Sequence, residues 1–155
     1  MASKNDVRVL VVGCGNMGSS HARAYHDLEG FQICGIVSRG NSKQVLNRKL
    51  GGEYVLFEDF EAALEKTRPD AVSISTWPDT HEAMAIKAFE KGCHVFIEKP
   101  LADSVKGAER VVKAATKAGK KLVIGYILRH HPSWERFIEV AQTLGKPFVM
   151  RMNPN

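Results

Sequence analysis

Polar residues gather where apolar runs of this sequence turn, and three of these places hold residue types suited to ligand chemistry. The run Cys93 to Glu98 (CHVFIE) reads as a strand that exits into Lys99-Pro100. Polar side chains at the carboxyl end of a strand in an open α/β sheet are where ligands bind. Here a Glu-Lys pair interrupts the apolar exit, Pro100 fixes the backbone behind it, and a helix is expected to begin at Asp103. A solvated Glu-Lys pair at a strand end is the plainer alternative. The second place is VRVLVVGCGNMGSSHARA (7–24), in which Gly13, Gly15 and Gly18 stand at the spacing of the dinucleotide fingerprint. One glycine makes the tight turn, one admits a pyrophosphate and one permits close helix-sheet packing; an ordinary strand-turn-helix is the alternative. The third is Ser38-Arg39, at the exit of FQICGIV (31–37). An acid at that position binds the ribose hydroxyls of NAD, whereas an Arg nearby accommodates the phosphate of NADP. The missing acid and the guanidinium favour NADP, with NAD as the alternative.

Elements alternating along the chain must position these residues. Strands are expected at Val9–Val12, Phe31–Val37, Tyr54–Phe57, Ala71–Thr76, Cys93–Glu98 and Lys121–Gly125, each joined to the next by an amphipathic helical stretch. Ser42 is read as the cap of a helix burying Val45, Leu46 and Leu50, and Asp59 as the opening of one burying Phe60, Ala63 and Leu64. Asp79 and Glu82 have capping-box spacing ahead of Met84, Ala85, Ala88 and Phe89. The helix from Asp103 to Ala118 is expected to bury Val105, Ala108, Val111, Val112 and Ala115. Pro132 suits the first turn of a last helix, and Lys146–Met152 is strand-like. The pattern predicts an α/β fold with a doubly wound parallel sheet, order 3-2-1-4-5-6.

Bulk composition narrows the function classes. The 155 residues suffice for one domain with a core, and 44% hydrophobic with 25% charged residues is ordinary for a globular chain. No apolar run is long enough to span a bilayer and MASKND lacks a signal-peptide core, so a cytoplasmic protein without a membrane partner is expected. The net charge of +5 is read as scattered lysine, with no nucleic-acid motif. Cys14, Cys34 and Cys93 are read as reduced, mostly buried thiols. No metal is expected: His81 has Ala85 four residues on, and the adjacent His130 and His131 would face opposite ways on a strand. His81 keeps two readings, a residue lining a cofactor cleft or a solvated histidine.

GCGNMGSSHARA, STWPDTHEAMAIKAFEKGCHVFIEKPLA and GYILRHHPSWERF together resemble the glucose-fructose oxidoreductase / inositol dehydrogenase / rhizopine-catabolism (Gfo/Idh/MocA) family, over essentially all of 7–152. The resemblance implies a Rossmann-type domain in which Gly13, Gly15, Asn16, Met17 and Gly18 contact the pyrophosphate of a nicotinamide dinucleotide. It further implies that Thr76, Trp77, Pro78 and His81 line the nicotinamide side, Glu98 holds the cofactor ribose, Lys99 is the catalytic group facing the reacting carbon, and Arg129 lies near the cofactor-substrate junction. The activity implied is NAD(P)-dependent oxidation of a sugar, cyclitol or other polyol hydroxyl, with a homo-oligomeric full-length form.

Family members continue into a large substrate domain. Residues 1–131 are therefore expected to form the NAD(P)-binding domain, and 132–155 a linking helix with the first strand of a truncated second domain. Binding of the dinucleotide with little turnover is the expectation for this chain by itself. The alternatives are a non-catalytic nucleotide-sensing regulator and a dimerisation domain with an empty glycine loop.

Overall fold

Six short apolar strands make one parallel sheet in a computed structural model, which describes residues 6–145. They are β1 (Val7–Val12), β2 (Phe31–Val37), β3 (Leu56–Phe57), β4 (Ala71–Ile74), β5 (His94–Ile97) and β6 (Leu122–Ile124). Between them run α1 (Asn16–Asp27), α2 (Ser42–Lys49), α3 (Phe60–Thr67), α4 (Pro78–Glu90) and α5 (Val105–Ala118). The strand order is β3-β2-β1-β4-β5-β6, the order expected from the alternation of elements. All neighbours are parallel, with Val9 opposite Ala71 and Val72 opposite Val95 across the centre.

Period-two alternation sorts the strand side chains onto two faces. Leu10, Val12, Val72, Ile74, Val95 and Ile97 pack with Ala63, Leu64, Ala85, Phe89 and Val111 of α3, α4 and α5. Val11, Ile33 and Ile36 pack with Ala22 of α1 and with Leu46 and Leu50 at α2. Each large aliphatic side chain so buried contributes roughly 1.5–3 kcal/mol.

Several ends differ from the sequence reading, each for a local reason. Asn41 is the N-cap residue of α2 and Ser42 its first helical residue, the Ser42 hydroxyl being turned to Ser38 Oγ at 2.8 Å. Val45 is exposed, so the buried stripe is carried by Leu46 and Leu50. Asp59 caps α3 as expected, accepting from Ala62 N at 2.7 Å. The Asp79-Glu82 capping box does not form, because Pro78 takes the first helical position and makes Trp77 the N-cap. Thr80 then donates to Trp77 O at 2.7 Å, and Glu82 is drawn instead to Arg110 of α5. Helix α5 begins later than Asp103, since Ser104 caps it by accepting from Gly107 N; this turns Val105 and Val112 to the surface. Strands β3 to β6 are each shorter than their apolar runs, as ladder pairing ends before the hydrophobic pattern does.

The three cysteines are free, Cys14 and Cys93 buried and Cys34 half-buried; burial pushes the Cys14 and Cys93 thiols each up to about 11. Among the described residues no helix is long and apolar enough to cross a membrane. The chain divides into two units between Gly125 and Tyr126. In the second, a 3-10 turn (Ile127–His130) leads into α6 (Pro132–Thr143), where Pro132 holds the first helical position and Trp134 meets Phe137 edge to face at 5.7 Å. The strand expected at Lys146–Met152 lies outside the described residues.

Candidate functional site: a cleft at the strand exits

In a sheet of this order, the connections leaving β1 and β4 run to opposite faces and open a crevice at the strands' carboxyl ends. A cleft of about 860 Å³ lies there, floored by the exits of β1, β2, β4 and β5. The glycine loop occupies its middle. Gly13 has φ +92°, and a Cβ there would meet Ser75 O at 2.3 Å; one on Gly18 would meet Gly13 O at 1.9 Å. These two glycines let the loop lie against β4 and α1 against the loop. Gly15 differs, for a Cβ there would meet nothing within 4 Å.

Helix α1 starts directly behind Gly15, without a side-chain cap and without an acid in its first turn. Its first N–H groups are therefore free to donate to an anionic oxygen, which the positive end of the helix dipole also favours. Asn16 and Met17 line the cleft at this point. The hydroxyl of Ser75, also lining it, is buried with no hydrogen-bond partner. An open position at Gly15, an uncapped helix start and an orphaned hydroxyl fit a diphosphate.

On the β2 side Ser38, Arg39 and Ser42 face the cleft. Beneath them Lys43, only 3% exposed, donates to Gly40 O at 2.7 Å and pairs with Glu58 at 3.1 Å. On the β4 side Thr76, Trp77, Thr80 and Met84 form the wall; Thr76 Oγ1 lies 2.6 Å from Thr80 Oγ1, and Trp77 is 76% exposed. Glu98 and Lys99 close the β5 side. Glu98 is buried, its Oε1 2.7 Å from His21 Nε2 and its Oε2 accepting from Lys99 N at 3.2 Å. No ion pair among the described residues engages Lys99.

The cleft thus gathers Gly13, Gly15, Asn16, Met17, Ser38, Arg39, Thr76, Trp77, Glu98 and Lys99, while Gly18 packs directly beneath the loop. Pro78 starts α4 just behind the wall. His81 is neither solvated nor on the cleft wall: it is 1% exposed, with Nδ1 2.7 Å from Pro100 O and Nε2 3.2 Å from Thr76 O. Carbonyl oxygens only accept, and a neutral imidazole has one N–H, so the ring donates to one of them, the nearer being Pro100 O in the turn after β5. Arg129 lies on the 3-10 turn of the second unit.

Sequence reasoning missed His21, Ser42, Lys43, Glu58, Ser75, Thr80 and Met84. Two of these left a signal. His21 stands three residues after Gly18, on the α1 stripe that must face the sheet, and Ser75 continues the face of Ser73 between apolar Val72 and Ile74.

Fold and cleft together define a dinucleotide-binding Rossmann domain. The family described as "Oxidoreductase family, NAD-binding Rossmann fold", GFO_IDH_MocA, matches residues 7–126. The chain belongs to that family, and its cofactor class is nicotinamide dinucleotide. It is 32% identical over 149 residues to an inositol 2-dehydrogenase of Paracoccus denitrificans, covering 93% of this chain and 44% of the relative. An inositol 2-dehydrogenase of Agrobacterium fabrum is 33% identical with the same coverage. The chain thus spans less than half the length of these curated relatives. Among solved structures, GenD2 from gentamicin A biosynthesis in complex with NAD superposes with a TM-score of 0.82 at 27% identity, over 91% of this chain and 41% of that one. KijD10, a 3-ketoreductase from Actinomadura kijaniata in complex with NADP and TDP-benzene, gives 0.81 at 26%, over 90% and 43%.

Proposed function

We propose that the chain is the cofactor-holding part of an NADP-preferring dehydrogenase acting on a hydroxyl of a sugar, cyclitol or other polyol, and that by itself it binds the dinucleotide with little turnover. One observation carries this reading: Glu98 and Lys99 open onto the same cleft as the glycine loop. A pyrophosphate at the α1 terminus leaves one nucleoside on the Ser38-Arg39 side and the other on the Thr76-Trp77-Glu98 side. By the rule for nucleotide folds the adenosine ribose would take the β2 side, which would leave Thr76, Trp77, Glu98 and Lys99 to hold the nicotinamide half. The bound nicotinamide supplies the carbon that takes the hydride. The hydroxyl proton would leave to a general base on the substrate side, and Lys99 would stabilise the oxygen that develops negative charge as it does so, since a positioned ammonium lowers the free energy of an alkoxide. Trp77 covers the wall and helps to exclude water. The names of the relatives, inositol 2-dehydrogenases among them, support a polyol substrate.

The choice of NADP rests on the β2 exit. Ser38 and Arg39 stand where an acid would select NAD, and Ser42 adds a second hydroxyl 2.8 Å from Ser38 Oγ. Glu58 and Asp59 also border the cleft; Lys43 pairs with the first at 3.1 Å, and the second accepts from Ala62 N as the cap of α3. Calorimetric titration with NADPH and with NADH tests the reading, with NADPH expected to bind more tightly. Arg39→Ala should weaken NADPH roughly tenfold or more, the value of a charge-assisted phosphate contact, and leave NADH nearly unchanged. A preference for NADH in the unaltered chain would contradict the assignment.

A further inference from the structure

Glu98 is held by more of the molecule than a cleft-lining side chain needs. It follows β5 on the face of Phe96, opposite Val95 and Ile97, and this turns it toward α1. There His21 Nε2 lies 2.7 Å from Oε1. An ionised carboxyl only accepts, so this nitrogen carries the hydrogen. The His21 ring is itself fixed, edge-on to Phe96 at 4.7 Å between centroids. From the other side comes Gly125, at the exit of β6, where an added Cβ would lie 2.9 Å from Oε1. The remaining oxygen, Oε2, accepts from Lys99 N. A carboxylate has about four acceptor sites, so lone pairs are left for the cleft after these contacts are made.

We infer that His21 is a positioning residue for the nicotinamide half of the cofactor: it aims Glu98 so that the carboxylate accepts a hydroxyl of the nicotinamide ribose, and so ties the helix that receives the pyrophosphate to the turn that carries Lys99. The inference rests on the dinucleotide reading and on the order of the strand exits, which puts Glu98 at the end of the cleft away from Ser38 and Arg39. His21 itself touches no cofactor; its effect passes through Glu98.

Two ligands separate this role from a general one in holding α1. NADPH reaches both ends of the cleft, whereas 2′-phospho-ADP keeps the adenosine 2′-phosphate and the diphosphate but lacks both the nicotinamide and its ribose. His21→Phe keeps a ring against Phe96 and removes the donor. It is expected to weaken NADPH about tenfold and to leave 2′-phospho-ADP unchanged. His21→Gln, whose amide nitrogen stands near the place of Nε2, should recover most of the loss. His21→Asn, too short to reach Glu98, should behave like His21→Phe and serves if the phenylalanine variant does not fold. Adding Glu98→Gln to His21→Asn should cost little more than either change alone, because the two act through one contact. Equal weakening of both ligands, or of neither, overturns the inference. If the unaltered chain binds neither ligand, the dinucleotide reading itself fails and this inference fails with it.

Discussion

Lys99→Ala is expected to slow hydride transfer about a thousandfold in a chain long enough to hold substrate, while NADPH affinity changes by no more than a few fold. The asymmetry follows from where the side chain stands. Its backbone is fixed, N donating to Glu98 Oε2 and Pro100 O held by His81, whereas no ion pair among the described residues holds its ammonium. Such a group is free to meet a substrate oxygen. An exposed charge contributes little to ground-state binding of a cofactor, because water screens it. Stabilising an alkoxide as it forms is different, since that interaction strengthens only in the transition state. Single-turnover kinetics separate the two quantities. A variant that binds NADPH normally and transfers hydride at the original rate would remove Lys99 from the chemistry.

The second large effect concerns the three fingerprint glycines, which the structure divides by role. Gly18→Ala would force a Cβ to 1.9 Å from Gly13 O, a backbone atom that moves only if α1 lifts off the loop. Gly13→Ala adds a left-handed φ of +92° to a contact of 2.3 Å with Ser75 O. Each should destabilise the domain by about 3 kcal/mol or more and lower its melting temperature by roughly 6–12 °C. Cofactor binding should be lost with the loop. Gly15→Ala is expected to do the reverse, keeping the melting temperature and weakening the dinucleotide, because its Cβ meets no protein atom within 4 Å and projects where a phosphate must come close. Thermal melts paired with NADPH titrations check all three. A destabilised Gly15→Ala protein, or a Gly18→Ala protein that melts normally, would break the division.

Much of the fold was legible because its strands are buried on both faces. Runs such as VRVLVV and FQICGIV are apolar but for Arg8 and Gln32 near their starts, and the glycines and caps between them mark each turn. The ends were less legible. Whether Asp79-Glu82 forms a capping box depends on Pro78 taking the first helical position and on Arg110 arriving from α5, two facts separated from the box by backbone choice and by tertiary packing. Val105 and Val112 carried the right spacing for burial, but the Ser104 cap sets where the helix begins, and its phase turns both outward.

At the site, positions fixed by strand exits were readable: Ser38, Thr76, Glu98 and Lys99 each stand within two residues of the end of an apolar run. What the sequence could not convey was which polar side chains serve the fold rather than the ligand. His81 and His21 are both histidines near glycine-rich or capped helix starts, yet His81 spans two carbonyls across the sheet and His21 reaches a carboxylate 77 residues away. Lys43 is buried against the expectation for lysine because Gly40 O and Glu58 receive its hydrogens there. Glu98, Pro100 O and Glu58 come from distant positions, and local spacing carries no record of them.

A nicotinamide dinucleotide is expected to lie across these strand exits with its reacting ring beside Lys99. A crystal structure of the chain grown with NADPH tests it most directly. The diphosphate is expected over Gly13 to Asn16, the 2′-phosphate between Ser38 and Arg39, and the nicotinamide along Thr76 and Trp77 facing Lys99. An NADPH molecule lying in the opposite sense, or bound away from the glycine loop, would contradict it.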